Sequence, residues 1–542
     1  MIKMVKTTKT NGMKILIAAL AATCIVAMVC PAMAAVRMPA VFSDNMVVQA
    51  GMPVPVWGWA TANEKITVTF AGQKKTATAG ADGKWMVKLD QMKCSATPAQ
   101  MTVTGPDGQA VTIANVMVGE VWLGSGQSNM EMGVGGCLDV DNVAADANYP
   151  AIRMFTVKQR PAGEPMDDVI GTWVVCSPQT VRGFSATAYF FGRRIHKDLG
   201  VPVGLIHSSW GGTRIEPWTP PCGFAAVPEL KDIAAQVAAA PGEYRKQVAA
   251  TIDAIDAWLP KAKQALAQDT TVPQAPAMPK HPLDGSGDPT GLYNGMIHGL
   301  IPYAYRGALW YQGESNGGEG ESYFHKMQAL IGGWRQLWGQ GDFPFYFVQL
   351  ATFKAPNDKP EGGDDWAKVL EAQAFSLSIP NTGMAVLSDL GDAKNIHPRD
   401  KQDVGERLAL WALAKDYGKK DLVYSGPIFK SAKVQGATMV ISFDHVGAGL
   451  MVGSKDGLAP AKEVADGALK GFSIKGDDGQ WYWADAKIVG PMVVVSSKDV
   501  SKPAAVRFAF TTNRAHCNFY NKEGLPAVGF RTDTEWTPKG NK

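Results

Sequence analysis

The sequence predicts a mainly parallel α/β sheet with a β-sandwich region on each side of it in the chain. Short apolar runs alternate with helical patterns through the middle of the chain, which is typical of a parallel sheet. Near both ends, apolar and polar residues alternate with a period of two between turn signals, which is typical of sandwiches. At 542 residues the chain is also too long for one ordinary core, so we expect two or three domains.

The composition excludes several classes of function. The chain is 46% hydrophobic and 19% charged, as in a folded protein, and its formal net charge is only +3. This charge indicates neither a nucleic-acid partner nor binding to an anionic membrane surface. Beyond the N-terminus no apolar run reaches about 18 residues, so no membrane span is predicted.

The N-terminus has the pattern of a secretory signal peptide. Lysines precede an apolar run from Ile15 to Val29, and small residues follow up to Ala34. This order predicts a signal peptide over residues 1–34 with cleavage after Ala34, and hence export to the periplasm or the medium. A lipid anchor on Cys24 or Cys30 is the alternative, which the bulky or β-branched residues beside them disfavour.

Cleavage would leave five cysteines, which is an odd number: Cys94, Cys137, Cys176, Cys222 and Cys517. At least one thiol therefore has no partner within the chain. Cys137 and Cys176 could form a disulfide in an oxidising compartment, or both could be small buried hydrophobic residues. The sequence leaves both possibilities open.

The two flanking regions are predicted to be all β. Residues 35–117 alternate between apolar and polar positions, for example at Ile66, Val68 and Phe70, and Gly- and Asp-rich turns separate the runs. The same alternation returns over residues 426–542. Each flank is therefore predicted to form a β-sandwich.

Between the flanks, residues 118–425 are predicted to form the α/β domain. Apolar residues at helical spacing mark three helices, with these faces: Phe184, Ala188, Phe191 and Ile195; Phe324, Met327, Ile331, Trp334 and Trp338; Val404, Leu408 and Trp411. An Ala-rich stretch followed by a Pro- and Gly-rich stretch interrupts the pattern at about residues 228–290. We expect a helical hairpin and a long loop there.

Four polar motifs each begin just after a predicted strand: GSGQSN, SSWGGT, WYQGESN and SDLGDAKNIHP. In a parallel sheet the carboxyl ends of the strands lie at one edge, where ligands bind. The sequence therefore predicts that four distant segments converge on one crevice.

Ser128 in the first motif and His397 in the last form a candidate nucleophile and base. A serine needs a neighbouring base to react at neutral pH, and histidine is the usual one. Asp389 or Asp392 could orient the imidazole. Taken alone, Ser128 would be interpreted as a turn serine or a helix N-cap, so the assignment depends on the converging set.

Candidate donors to an oxyanion follow two other strands. Gly212 lies in a Gly-Gly-Thr turn and, lacking a Cβ, can bring its N–H close to substrate, although it could also simply form a tight turn. Gln312 and Asn316 offer side-chain amides for the same oxyanion. Glu314 is expected to support the residues that contact substrate, or to accept a hydrogen bond from a buried donor.

The segment around the serine is not the GxSxG nucleophile elbow, because Met130 stands where that motif has glycine. The candidate acid and base also follow the serine in one short stretch of chain. Both features argue against the α/β-hydrolase arrangement and indicate a flatter, flavodoxin-like three-layer hydrolase.

Five segments carry a resemblance to a known family: GQSNM, SSWGGT, YRGALWYQGESN, SDLGD with IHPRDKQDVGERLALWA, and NKEGLPAVGFRTD. Together they resemble the sialate O-acetylesterase family of SGNH-type carbohydrate esterases. The resemblance covers nearly the whole chain after the signal segment, including both flanking β regions. It implies a serine carboxylesterase that removes O-acetyl groups from sialic acid or related glycans.

The resemblance also implies roles for individual residues. Ser128 would be the nucleophile and His397 the base, and the N–H groups of Ser128 and Gly212 would bind the oxyanion with an amide of the QGES segment. Many SGNH enzymes place the acid three residues before the histidine, but Lys394 occupies that position here. The family's DLxD motif instead favours Asp389 over Asp392.

The substrate remains open within acetylated carbohydrates. Arg214 and Arg306 lie in the matched segments and could hold a sialate carboxylate, or each could form a structural ion pair. Acetylated xylan or another polysaccharide is an alternative substrate, and a non-catalytic carbohydrate-binding protein is an alternative of a different class. The chemistry requires no metal or organic cofactor, and the sequence does not indicate an oligomeric state.

Overall fold

The computed structural model describes residues 36–106, 108–534 and 536, so the predicted signal peptide lies outside the described residues. The chain divides into two compact units. Among the described residues, the smaller unit contains residues 36–38, 56–87 and 102–112, and the larger contains the others.

The strands and helices are numbered here in chain order. The strands are β1 (Val47–Gln49), β2 (Val54–Trp59), β3 (Lys65–Phe70), β4 (Gln73–Thr78), β5 (Lys84–Leu89), β6 (Ser95–Thr104), β7 (Ala110–Gly126), β8 (Ile152–Thr156), β9 (Trp173–Val175), β10 (Val203–Ser209), β11 (Gly307–Tyr311), β12 (Phe345–Val348), β13 (Thr382–Ala385), β14 (Ile428–Gln435), β15 (Thr438–Asp444), β16 (Leu450–Ser454), β17 (Lys462–Glu463), β18 (Phe472–Gly476), β19 (Trp481–Trp483), β20 (Asp485–Val489), β21 (Met492–Ser496), β22 (Pro503–Phe508), β23 (Phe519–Asn521) and β24 (Phe530–Arg531). The α-helices are α1 (Ser128–Glu131), α2 (Val140–Ala145), α3 (Ala186–Leu199), α4 (Pro221–Ala226), α5 (Lys231–Ala267), α6 (Glu321–Trp338), α7 (Ala367–Phe375) and α8 (Lys401–Lys415).

The smaller unit has the predicted β character. β3 pairs antiparallel with β4 and with the last residues of β6. Ile66, Val68 and Phe70 are buried, while the residues between them are partly or fully exposed, so the predicted alternation is confirmed. The extent of a sandwich over residues 35–117 stays a prediction.

The larger unit contains the predicted parallel sheet. Its strand order is β13–β12–β11–β7–β10–β8, every neighbouring pair is parallel, and β9 pairs antiparallel at the edge beside β8. Among these parallel strands, β7 comes first in the chain. The next strands add on the β10 side and the later ones on the β11 side, so the strand order reverses beside β7. In such sheets the ligand-binding crevice opens at this switch point.

Three helices form where the apolar spacing predicts them. The predicted faces of α3, α6 and α8 are buried. The Ser185 hydroxyl caps α3 by accepting the Ala188 N–H at 3.3 Å, and Gly200 ends the helix with a φ of +67°. A side chain on Gly405 of α8 would collide with Phe190, so the glycine allows α3 and α8 to pack closely.

The predicted helical hairpin in the insertion is wrong. One continuous helix, α5, runs through Pro241 and Pro260, and irregular chain follows it. Proline interrupts a helix because it lacks an N–H and its ring crowds the preceding turn. Here Ala-rich segments before Pro241, between the two prolines and after Pro260 favour the helix, which continues through both prolines with most of its surface exposed.

The C-terminal region is antiparallel and packs against the α/β part. Two of its sheets, β14–β15–β21–β20 and β19–β18–β22–β24, contribute to one buried cluster, as a sandwich requires. Arg514 is buried and donates to Gln349 Oε1 at 2.9 Å and to the Leu350 carbonyl, directly after β12. The region therefore touches the end of the sheet that carries the polar motifs.

Two further predictions concern cysteines and membranes. All five cysteines in the described residues are free thiols, and Cys137 and Cys176 are both buried, which agrees with the second of the two possibilities for this pair. No helix among the residues that the structure describes is long and apolar enough to cross a membrane.

Candidate active site

The four polar motifs meet at the carboxyl edge of the sheet. Gly126 at the end of β7 lies beside Ser209 of β10 and Tyr311 of β11, so the segments after these strands begin side by side. Direct contacts connect the motifs, as the following paragraphs describe. A side chain on Gly126, which has a φ of +139°, would collide with the Tyr311 carbonyl, so glycine is required where β7 turns into α1.

Ser128 and His397 are in hydrogen-bond contact. Ser128 is the first residue of α1, and its Oγ lies 2.8 Å from His397 Nε2. The backbone N–H of His397 donates to Asn395 Oδ1 at 3.0 Å, which shapes the loop around the histidine. Burial and then the positive charge of Lys401 lower the pKa of His397, so the imidazole stays neutral and can accept a proton.

The structure does not bring Asp389 to His397, and this corrects the expected contact. Both carboxylate oxygens of Asp389 accept from Arg407 of α8, at 2.7 and 2.8 Å. The pair is buried, since the side chains are 4% and 7% exposed. Asp389 therefore fixes the start of the loop to α8 and does not orient the imidazole directly.

Asp392, the alternative acid, does not contact the imidazole either. It is exposed, and its Oδ1 accepts the backbone N–H of Lys394 at 2.8 Å. Within the described residues no carboxylate contacts His397, and the charge that acts on its pKa is that of Lys401. The serine and histidine thus form a pair without the expected third member.

The turn after β10 places Gly211 against the nucleophile, with Gly212 directly after it. A Cβ on Gly211 would lie 3.3 Å from Ser128 Cβ, so the turn packs directly on the serine, and the Gly211 N–H donates to the Glu131 carboxylate. Gly212 has a φ of +75° and open space beside its Cα. The N–H groups of Gly212 and Ser128 have no hydrogen-bond partner among the described residues, so both are free to bind an oxyanion.

The side-chain amides of Gln312 and Asn316 are not free, which corrects their expected role as oxyanion donors. Gln312 Nε2 donates to the Thr213 carbonyl at 3.2 Å and to Asn316 Oδ1 at 2.8 Å. Asn316 Nδ2 donates to Glu216 at 3.1 Å and to Glu319 at 3.0 Å. An amide nitrogen has two protons, so both groups are fully used. The two residues instead fix the turn after β10 to the segment after β11.

Arg214 lies at the carboxyl edge but already has acidic partners. It pairs with Glu216 at 3.1 Å and with Glu319, and Lys326 binds the same two carboxylates at 2.8 and 2.6 Å. Burial opposes ionisation of Glu216, yet Lys326 and the surrounding hydrogen bonds hold its pKa below the usual value. The two cations and two anions neutralise each other, while about half of the Arg214 side chain remains exposed.

Arg306 lies at the opposite edge of the sheet and forms a structural ion pair, which is the second of the two possibilities left open for it. It directly precedes β11, and its guanidinium donates to the Glu120 carboxylate at 2.8 and 3.1 Å. Tyr417 donates to the same carboxylate at 3.0 Å. Although burial opposes its charge, Glu120 raises the pKa of Arg306. Arg306 is part of a structural ion pair far along the strands from Ser128.

Two residues near the site were not singled out from the sequence. Asn129 follows the nucleophile directly and contacts both Glu314 and the loop of His397. Lys401 is fully buried and donates to Asn129 Oδ1 at 2.6 Å. A signal for Lys401 was present, because it occupies the same helical face as the apolar Val404 and Leu408.

Comparisons with known proteins show which family the chain is similar to. The family model described as carbohydrate esterase, sialic acid-specific acetylesterase, matches residues 118–251 and 286–414. The sialate O-acetylesterase of Rattus norvegicus is 33% identical over 430 residues, which cover 72% of this chain and 76% of the relative. The human protein of the same name is 30% identical, with 72% and 73% covered.

A solved structure is similar over most of the chain. It is a carbohydrate acetylesterase from Xanthomonas citri, with 34% identity and a TM-score of 0.76. The similarity covers 92% of this chain and 100% of that one. The family match leaves out residues 252–285, which correspond to the second half of α5 and the irregular chain after it.

Proposed function

Because this chain belongs to the sialate O-acetylesterase family of carbohydrate esterases, we propose that Ser128 and His397 remove O-acetyl groups from sialic acid or related glycans. Membership of this family makes the protein an esterase that acts on acetylated carbohydrate. The observation that carries the assignment of residues is the 2.8 Å contact between Ser128 Oγ and His397 Nε2. A non-catalytic carbohydrate-binding protein would have no need of this contact.

The proposed reaction is a two-step acyl transfer. His397 Nε2 takes the proton of Ser128 while Oγ attacks the carbonyl carbon of the acetyl group. The tetrahedral intermediate collapses as the bond to the sugar oxygen breaks, and the imidazolium returns its proton to that oxygen. Water, deprotonated by His397, then hydrolyses the acetyl-enzyme and releases acetate.

The negative charge of the tetrahedral intermediate needs preorganised donors. The backbone N–H groups of Ser128 and Gly212 have no hydrogen-bond partner among the described residues. Ser128 is also the first residue of α1, so its N–H has no partner within the helix. We assign the oxyanion site to these two groups and a supporting role to Gln312 and Asn316.

Asp389 is proposed to act through the position of the loop. The buried pair with Arg407 ties the chain after β13 to α8, and His397 lies between these two elements. Separating the two partners of a buried ion pair would leave an uncompensated charge on each, which is costly. The pair therefore keeps the loop attached to α8. Asp389 is therefore a positioning residue in this proposal.

A neutral acetylated glycan, such as acetylated xylan, is a second candidate substrate, and one observation favours it. Of the two arginines expected to bind a sialate carboxylate, Arg306 is at the opposite edge of the sheet and Arg214 is already paired with two carboxylates. A neutral sugar needs no additional cation.

The proposal is tested by measuring acetate release from O-acetylated sialic acids and from acetylated xylan in parallel. We expect release from at least one substrate by the wild type, and none above background by Ser128→Ala. The relative kcat/KM values then decide between a sialate and a neutral glycan. Equal acetate release by Ser128→Ala would contradict the nucleophile assignment.

Export is also proposed, from the signal-like N-terminus. Expression of the full chain should yield an exported protein whose N-terminal residue is Ala35. An N-terminal sequence that still contains the first 34 residues would contradict cleavage at that site.

A further inference from the structure

We propose that Asn129, Lys401 and Glu314 hold His397 in position, a task that a carboxylate on the imidazole performs in a Ser-His-Asp triad. The inference rests on the proposed function, because it concerns the base of that reaction. All three are positioning residues, since their contacts are to one another and to the loop of the histidine.

Asn129 is the centre of the arrangement. Its Nδ2 donates to Glu314 Oε1 at 2.6 Å and to the carbonyl of Ile396 at 3.1 Å. Its Oδ1 accepts from Lys401 Nζ at 2.6 Å. Ile396 directly precedes His397, so a single amide connects the residue after the nucleophile to the residue before the base.

Two opposite charges determine which way this amide faces. Its carbonyl oxygen faces the ammonium of Lys401, and its NH₂ group faces the carboxylate of Glu314. Turning the amide over would place donor against donor and acceptor against acceptor. In a buried setting such a mismatch is costly, so the charges keep the second N–H aimed at Ile396.

The fold fixes the positions of Lys401 and Glu314, although burial opposes the charged form of each. Lys401 is fully buried at the first position of α8, and Glu314 follows β11. Burial lowers the pKa of Lys401 to about 7, although Glu314 and Asp400 oppose this, and burial raises the pKa of Glu314. The ring of Tyr311, with its centroid 5.0 Å from Lys401 Nζ, adds a favourable cation–π contact.

The same lysine also favours the neutral form of the base. Lys401 is the charge that, after burial, lowers the pKa of His397. The other charged groups nearby are the exposed Asp392 and Lys394 on the loop itself, Arg399 and the buried Asp400 just after it, and Glu314 beyond Asn129. None of the five is among the charges that move the pKa of His397.

The test uses Lys401→Met and the double variant Glu314→Gln/Lys401→Met. The single variant leaves Glu314 without its cation and could fold poorly, whereas the double variant removes both charges. Arg306→Met is the matched control, because it also removes a cation from a buried carboxylate but lies at the opposite edge of the sheet. All variants are assayed on an aryl acetate over a range of pH, with thermal unfolding measured alongside.

We expect kcat to fall at least ~30-fold in Lys401→Met with KM nearly unchanged, because a slightly misplaced base slows the chemical step and not binding. Removing the positive charge raises the pKa of His397. Since kcat/KM rises with pH as His397 loses its proton, the acid limb should move up by about one pH unit. The double variant should regain stability and remain slow. Arg306→Met should keep both the wild-type kcat and the wild-type acid limb of the pH profile.

Two results would overturn the inference. One is a folded Lys401→Met with kcat within about threefold of wild type and an unmoved acid limb. The other is a double variant that regains full activity, because the loss would then come from an unpaired buried charge alone. Either result would leave the assignment of Ser128 intact, whereas an active Ser128→Ala would refute the proposed function itself.

Discussion

At the amino edge of the parallel sheet, which is the edge opposite the polar motifs, Arg306 and Glu120 form an ion pair. At the carboxyl edge, Ser128 and His397 lie beside backbone N–H groups that have no partner among the described residues. Both edges carry charged and polar side chains from the same strands. At the amino edge Tyr417 occupies a remaining site on the carboxylate. At the carboxyl edge Gly212 leaves its N–H and the space beside it open.

The comparison shows that polarity alone does not identify a reactive site. What distinguishes the carboxyl edge is a set of groups whose hydrogen-bonding capacity is not used up. Substitutions at that edge should therefore change rate, and substitutions at the amino edge should change stability.

The largest effect is expected for the nucleophile and the base. Ser128→Ala and His397→Ala should each lower kcat on an aryl acetate at least about a thousandfold, because neither partner works without the other. The thermal midpoint should change little, since Ser128 is a partly exposed residue at a helix start. Retention of most activity in either variant would contradict the claim that substitutions at the carboxyl edge change the rate.

Asp389→Asn should have the next largest effect, a fall in kcat of ~10- to 100-fold, because a small displacement of the loop misplaces His397. Stability should also fall, since Arg407 would remain buried without its anion. Asp392→Asn is the control and should stay within about threefold of wild type, because its carboxylate is exposed and bonds only locally. A reversed ranking in the kinetic measurements would show that Asp392 is the residue that matters for the imidazole.

Gly212→Ala is expected to lower kcat about tenfold or more, because a turn with a φ of +75° must shift to accept a Cβ and carries the oxyanion N–H with it. Gly200→Ala is a matched control, since Gly200 also has a left-handed φ with open space around it but lies at the end of α3. Both variants should lose about 1 kcal/mol of stability. Similar kinetic losses in both would argue against an oxyanion role for Gly212.

The smallest kinetic effect is expected at the amino edge. Arg306→Met should leave kcat within about twofold of wild type and lower the free energy of unfolding by ~3 kcal/mol, because Glu120 loses its cation while buried. Denaturant unfolding and the esterase assay measure the two effects separately. A large loss of rate at unchanged stability would mean that this edge also contributes to catalysis.

Much of the fold and the location of the site could be predicted from the sequence. The rule that loops after parallel strands share one edge correctly brought Ser128, Gly212 and His397 together. The same rule places Arg306 at the opposite edge, because it precedes the strand beginning at Gly307. Its placement could therefore have been derived from the sequence alone.

Other features depended on pairings that no local pattern reveals. The sequence identified Asp389, Gln312 and Asn316 as polar groups near the site but could not show that their hydrogen bonds were already used. Asp389 finds Arg407 eighteen residues later, on α8. Lys401 shares a helical face with Val404 and Leu408, but a lysine at a helix start usually faces solvent, so the sequence did not single it out as buried.

The most direct test of the central claim is covalent labelling with diethyl p-nitrophenyl phosphate, which transfers its diethylphosphoryl group to an activated serine and releases p-nitrophenolate. Intact mass and peptide mapping should show one group per chain, on the peptide containing Ser128, in step with loss of esterase activity. His397→Ala should label far more slowly, because its serine has no base. Labelling of a different serine, or full inactivation with Ser128 unmodified, would contradict the account.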